Sequence, residues 1–354
     1  MAVAPDPDPL GSGRFRALIA TPRVSSDEGQ MLGRSREGRP IRAFRFGEGR
    51  NAVSLLGGCH ADEPVGPRLL RHLAAYLGRL PPEDPWVRNF EWWIVPHINP
   101  DGEKNNAAWA DDDAEAYDLG RYLRDAAREL PGDDIEFGFP RGDDDGDARP
   151  ENRAVLEWWK SRGRPFALHA SLHGTAFAAG PWFLVEPSWR ERYGPLRERC
   201  SEAVRRLGYT LHDVERQGEK GFVRLDRGFC TRPDSVSMSE HFIAAGDPVT
   251  ASLFRPSSME TVRSLGGDPL TLVSEMPLFI TPGVGEVLGP PDPILVRWRE
   301  RLETWKTRAT SGEDPSAITR SAGNSGLVAM GVTDQMRLQW TLVRAGLALA
   351  CGRT

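Results

Sequence analysis

His60 and Glu63, in the segment GGCHADE, stand three residues apart just after a short apolar run and a Gly-Gly pair. An imidazole and a carboxylate this close can hold one zinc ion from a single loop. A catalytic zinc takes three protein ligands and leaves a position for water, so a second histidine must arrive from elsewhere in the chain. The segment ALHASLHG carries two, His169 and His173, of which only one is needed. It reads as a strand, where a four-residue spacing keeps both on one face. Glu275, in LVSEMP, closes another apolar run, so its carboxylate should be partly desolvated and tuned toward general-base work. Taken singly these signals are weak, because an HxxE tetrapeptide arises readily by chance. His72, His97, His212 and His241 have no comparable partners and read as structural or surface residues.

The elements that must position these residues read as follows. Residues 39–46 and 51–56 read as strands joined by the EGRN turn, residues 67–80 as an amphipathic helix, and Phe90–Val95 as a buried strand. Residues 102–147 are acidic and irregular, with a short helix between 117 and 130. A helix opens at Pro150 and is stopped by Gly163. Residues 166–172 and 181–185 read as central strands, 188–207 as a helix, 218–267 as loop-rich, and 270–273 as a last short strand ending at Glu275. Two helices, 294–307 and 334–351, follow across a Ser/Gly-rich connector. Strands alternating with helices predict an α/β fold with helices on both faces of the sheet. Ligand sites in such sheets lie outside the carboxyl ends of strands. Three of the four candidate residues fall at predicted strand ends, and Glu63 follows one turn later.

Among the 354 residues, 39% are hydrophobic and 27% charged, ordinary for a globular chain with a sizeable core. A formal net charge of -5 offers no global basic field for phosphate, so nucleic acid is not an expected partner. The four cysteines are widely spread and form no CxxC pair, which reads as reduced thiols. No apolar stretch approaches the roughly 18–20 residues that span a bilayer, and the first residues lack the basic start and apolar run of a secretory signal. The expected location is the cytoplasm, with no membrane partner.

Seven motifs in order, from about Leu32 to Phe279, resemble the zinc carboxypeptidase superfamily. LGRSREGRPIRAFRFG resembles its opening Gly-Arg-Ser, Gly-Arg-Pro segment, GGCHADE its His-x-x-Glu zinc motif, and NPDG at Asn99 to Gly102 its Asn-Pro-Asp-Gly. DLGRY at Asp118 to Tyr122 resembles its Asp-Leu-Asn-Arg segment, RPENRAV a Glu-Pro-Glu-Thr-Arg-Ala helix start, SLHG the third-ligand segment, and SEMP the catalytic glutamate strand. The resemblance implies a central twisted mixed sheet with helices on both faces over residues 14–285, a disordered arm at 1–13, and a helical C-terminal extension at 286–354 packed on the core.

It also implies His60, Glu63 and His173 as zinc ligands, Glu275 as base and proton shuttle, and Arg121 as the clamp on a substrate carboxylate. Certain residues depart from the family pattern. Gly120 stands where the asparagine beside the clamp arginine is usual, and Ser171 where the third-ligand strand usually has aspartate. No arginine lies between Arg88 and Arg121, where an oxyanion-stabilising arginine is expected, so Lys104 is the only cation in that interval. The capping tyrosine before the catalytic glutamate is absent. Arg255 and Glu260 fall in the region that lines the specificity pocket of relatives. The implied function is zinc-dependent hydrolysis of an amide bond, by a metallocarboxypeptidase acting on a small peptide. An amidase or N-acyl amino acid deacylase of the aspartoacylase-like kind is the alternative, and a non-catalytic binding protein the third reading.

Overall fold

The computed structural model describes residues 12–213, 215–216, 218–286 and 292–352; the expected arm at 1–13 lies almost wholly outside them. Ten strands form one mixed sheet: β1 (Gln30–Arg34), β2 (Pro40–Phe46), β3 (Asn51–Gly57), β4 (Phe90–Val95), β5 (Leu168–Ala178), β6 (Trp182–Val185), β7 (Arg224–Asp226), β8 (Phe229–Thr231), β9 (Leu270–Ile280) and β10 (Val328–Ala329). Their order is β1-β2-β4-β3-β5-β9-β6-β8-β7, with β10 on the far end of β9. The central β4, β3, β5 and β9 run parallel, as strand-helix-strand connections require. β2 and β3 are consecutive but do not pair, because β4 inserts between them.

Helices cover both faces. One face carries Ser12–Ala20, Val65–Leu77, Gly194–Arg206 and Val332–Cys351, and the other carries Pro150–Lys160. No helix among the described residues is long and apolar enough to cross a membrane.

The strands that hold the candidate residues are longer than their sequence suggests. β5 and β9 each run 11 residues and continue past His173 and Glu275, which are opposite one another in register. Expected strand ends at 172 and 273 are therefore corrected: both residues sit within strands. The site opens there because the neighbours stop. β3 pairs with β5 only as far as Gly57 opposite Leu172, and β6 begins at Trp182, opposite Glu275. Gly58, with φ +72, turns the chain out of β3, and any side chain there would strike the His97 ring.

Residues 218–267, expected to be loop-rich, carry three short helices, Ser235–Ala244, Pro248–Leu253 and Ser258–Ser264. Asp234, Asp247 and Ser257 cap their first turns through side-chain oxygens, a signal a periodicity reading overlooks. The Ser/Gly connector likewise contains a helix, Pro315–Gly323, and β10.

The last helix belongs to the core. Trp340 stacks on Trp86 at 4.8 Å, and Trp86 stacks on Trp92 of β4 at 5.4 Å. Gly346 lets the helix approach β5 and β9, since a Cβ there would lie 2.7 Å from Leu272 and 3.1 Å from Leu168.

Helix Leu119–Asp125 packs against Pro293–Thr310 and Pro315–Gly323. Thr319 Oγ1 lies 3.0 Å from Asp118 Oδ2 and accepts from the Gly120 amide at 3.1 Å, and a Cβ at Gly120 would collide with the Pro315 backbone. This contact is the physical reason for glycine at position 120. Gly120→Asn should lower stability by about 1–3 kcal/mol through overpacking. Chemical denaturation would check it, and an unchanged midpoint would refute the packing argument.

Candidate metal centre and hydrolytic cleft

His60 and Glu63 lie on the loop between β3 and helix Val65–Leu77, and His173 and Glu275 on β5 and β9. The loop folds back so that His60 Nδ1 lies 3.0 Å from Glu63 Oε1 and 3.1 Å from His173 Nδ1, while His173 Nδ1 lies 2.9 Å from Glu63 Oε2. One ligand atom from each of the three falls within 4.8 Å of the others. The Gly174 amide donates to Glu63 Oε2 at 3.1 Å and fixes the carboxylate.

Each imidazole has a carboxylate at its other nitrogen. His60 Nε2 lies 3.4 Å from Asp134 Oδ1, and His173 Nε2 lies 3.1 Å from Glu136 Oε2. Such partners fix the tautomer and raise the basicity of histidine ligands. Burial and Arg128 oppose the imidazolium of His60, yet Glu63 and Asp134 lift it to about 9. Burial likewise opposes the charged form of His173, but Glu63 and Glu136 raise it above the ordinary range. Glu63 and Glu136 are held ionised against burial, Glu63 by both imidazoles and Arg128, Glu136 by His173, which takes it to about 2. Three carboxylates around two imidazoles demand positive charge, and two nitrogens and an oxygen converging from one side are a donor set that fits zinc. Cys59, Glu136 and His173 form a second group within ligand distance of one another. It fits less well, because burial keeps the Cys59 thiol protonated and Glu136 already accepts from Ser258 N and Oγ.

The Glu275 carboxyl has no hydrogen-bond partner among the described residues, although its backbone is paired within the sheet. Burial, and then the neighbouring Glu63, push its carboxyl up to about 8, where it can hold or release a proton near neutrality.

The segment 133–137 is the part of the site that the sequence concealed within an acidic stretch. Arg149 Nη1 donates to the Asp133 carbonyl at 2.7 Å and Asn152 Nδ2 to the Ile135 carbonyl at 2.7 Å, so the start of helix Pro150–Lys160 holds Asp134 and Glu136 in place. Burial of Ile135, Phe137 and Phe139, alternating through the acidic run, is the signal that marks this segment as interior. Two other motifs also serve as scaffold. Asp101 of NPDG accepts from Ser35 Oγ at 2.6 Å, the Glu37 amide at 3.0 Å and Arg39 at 2.7 Å. Asn99 caps helix Pro100–Asn106.

The cleft over the metal centre has a volume of about 220 Å³, and four expected residues lie outside its wall. Arg121 is exposed on helix Leu119–Asp125 and borders a separate hollow with Arg71, His97 and Asp111. Lys104 is exposed on helix Pro100–Asn106. Arg255 is bound to Asp145. Glu260 closes a capping box with Ser257 and accepts from Ser235. Their charges are thus spent in structure or turned to solvent.

In their place stands Arg128, beyond the interval in which an arginine was expected. Its Nη1 lies 3.0 Å from Glu63 Oε1 and 3.3 Å from Asp62 Oδ1, and it lines the cleft. Glu136 and Phe137 line the cleft as well. The stretch Asp134-Ile135-Glu136-Phe137 therefore supplies Glu136 and Phe137 to the wall of the cleft, which DLGRY does not reach.

A sequence model of the zinc carboxypeptidase family matches residues 28–183, which contain all three candidate ligands. Residues 28–183 thus carry the sequence pattern of the zinc carboxypeptidase family. It is similar to carboxypeptidase SOL1 of Arabidopsis thaliana, 32% identical over 43% of this chain and 30% of that protein. It is also similar to an inactive metallocarboxypeptidase of Talaromyces marneffei, 37% identical over 20% of this chain and 14% of that one. Among solved structures it resembles carboxypeptidase A from Helicoverpa armigera at 15% identity and a TM-score of 0.47, over 96% of this chain and 72% of that one. The matches span only 10–38% of the curated relatives' lengths.

Two outcomes follow from this geometry. Asp134→Asn should weaken Zn²⁺ binding by about 10–100-fold in chelator competition, and an unchanged affinity would remove Asp134 from the site. His169 is buried between Ser54 Oγ (3.0 Å) and Ser258 Oγ (3.1 Å), and burial lowers it from 6.5 to about 4. The unfolded chain binds the proton first, so stability is lost as pH falls from about 6.5 to about 4. His169→Gln should flatten that part of the melting-temperature profile; an identical slope would count against it.

Proposed function

We propose that the chain is a zinc-dependent hydrolase of an amide bond, with His60, Glu63 and His173 as ligands and Glu275 as the base. The observation that carries this reading is the convergence of the three ligand atoms beside Glu275, a carboxyl poised near neutrality with no competing hydrogen bond. A zinc ion held there would polarise the scissile carbonyl and acidify a water molecule. Glu275 takes the proton of the attacking water and returns it to the departing amine. Arg128 donates to the oxyanion that develops on the carbonyl, a role its position against Glu63 and its exposure to the cleft both favour. It replaces Lys104 in that assignment.

The family match favours a carboxypeptidase acting on a small peptide. A specific observation favours the second reading, an amidase or N-acyl amino acid deacylase: Arg121 is outside the cleft, and Glu136 and Phe137 bring no cation to the place of the clamp. Dipeptides assayed against N-acyl amino acids would separate the two. Glu275→Gln should reduce kcat/KM for the better substrate by about 10²–10⁴-fold while bound zinc is unchanged. Full activity in that variant would sink the assignment. A wild-type chain that binds stoichiometric zinc without turnover across the panel would instead favour a binding protein.

A further inference from the structure

A substrate whose leaving amine carries a carboxylate needs a cation in this cleft, and the expected one is absent. Arg121 is elsewhere, residues 134–137 are acidic or apolar, and Arg128 is bound to Glu63 and Asp62. Two further cations line the same cavity as the metal centre and Glu275: Arg216 and Lys220.

Arg216 is held by aromatic faces. Its guanidinium carbon lies 4.4 Å from the Phe222 ring centre and 6.0 Å from that of Trp182, contacts that orient the group while leaving its donors free. No carboxylate among the described residues pairs with it. Trp182 lies directly opposite Glu275 in the antiparallel β6–β9 pair, so the two side chains share a face of the sheet. Arg216 is thereby brought to the side of the cleft where Glu275 returns its proton. Lys220 has φ 57 and ψ 22 and is the only non-glycine residue with positive φ among those described. Such strain costs on the order of 1–3 kcal/mol and is retained where the surrounding structure holds a functional group in position. Its Nζ lies 5.7 Å from the Phe242 ring centre and 3.7 Å from the half-exposed Glu219, a weak ion pair that a substrate anion can displace. Leu184, Met259 and Val273 add an apolar wall.

We propose that Arg216 and Lys220 form the subsite for the carboxylate of the departing amino acid, and that the apolar wall beside them receives its side chain. The inference rests on the amide-hydrolysis reading and names its substrate class: an N-acylated amino acid with a free carboxylate and an apolar side chain. In this chain the anion-binding charge comes from the turn before β7 rather than from the stretch after the oxyanion arginine.

The test is calorimetry on the full zinc-loaded Glu275→Gln chain with N-acetyl-L-phenylalanine and its primary amide. The acid should bind at least about tenfold tighter than the amide. Arg216→Ala and Lys220→Ala in that background should together abolish the preference with zinc content and melting temperature unchanged, and Arg216→Lys should keep part of it. A preference that survives the double substitution, equal binding of the two ligands, or binding of neither overturns the proposal. The hydrolase reading fails separately: a wild-type chain that cleaves no amide, but whose preference for the acid depends on Arg216, keeps the subsite and loses the reaction.

Discussion

The parallel pairing of β5 with β9 sets His173 beside Glu275, and a slip of one residue would send one of them to the opposite face of the sheet. Ten paired positions, from Leu168–Leu270 to Ala178–Ile280, fix that register. The remaining parts of the centre are arranged around it. β3 ends early enough for its loop to cross over β5, and β6 starts late enough to leave Glu275 uncovered on one side. The candidate ligand His173 and the candidate base Glu275 thus share a backbone frame that lies mid-strand, with extra length beyond the site to anchor it.

Electrostatics explains why the centre is surrounded by so much scaffolding. Carboxylates near each other and near buried imidazoles repel unless each is held by donors. Glu136 is held by Ser258, Ser171 and His173. Its backbone is held in turn by Arg149 and Asn152. Ser171 stands where an aspartate is usual, and Glu136 supplies a carboxylate to the same region from the neighbouring segment. The negative charge beside His173 thus comes from Glu136, 37 residues away in the chain, and not from its own strand.

The sheet order could not be read from the chain, but the principal strands and helices around the metal centre could, because their apolar runs are continuous and their boundaries carry Gly or Pro. His60, Glu63, His173 and Glu275 were legible as candidate chemistry because their motifs follow apolar runs in an ordered set, although His173 and Glu275 lie within their strands and not at the ends. Strand lengths beyond His173 and Glu275 were not, since GTAFA and MPLFI lack a period that separates strand from turn. Arg128 stayed hidden because it sits in irregular backbone, where neither period nor spacing applies, and Asp134 and Glu136 because the alternation of Ile135, Phe137 and Phe139 is short and set in an acidic run. DLGRY misled for the complementary reason: its residue types fit a clamp, while its helix is occupied in packing under Pro315–Gly323.

The last helix reaches the centre directly. Gln339 Nε2 donates to the carbonyl of His173 at 3.1 Å and to Ser274 Oγ at 3.2 Å, and Ser274 Oγ donates to that same carbonyl at 3.0 Å. Gln339 and His173 are 166 residues apart in sequence. During synthesis, then, the backbone of the candidate ligand His173 is left without one of its supports until 166 further residues have been added. The apolar faces of Leu168 and Leu272 wait for the same helix. A nascent chain therefore completes the candidate centre well after its own residues have been made, and its full support arrives with the closing of the fold rather than ahead of it.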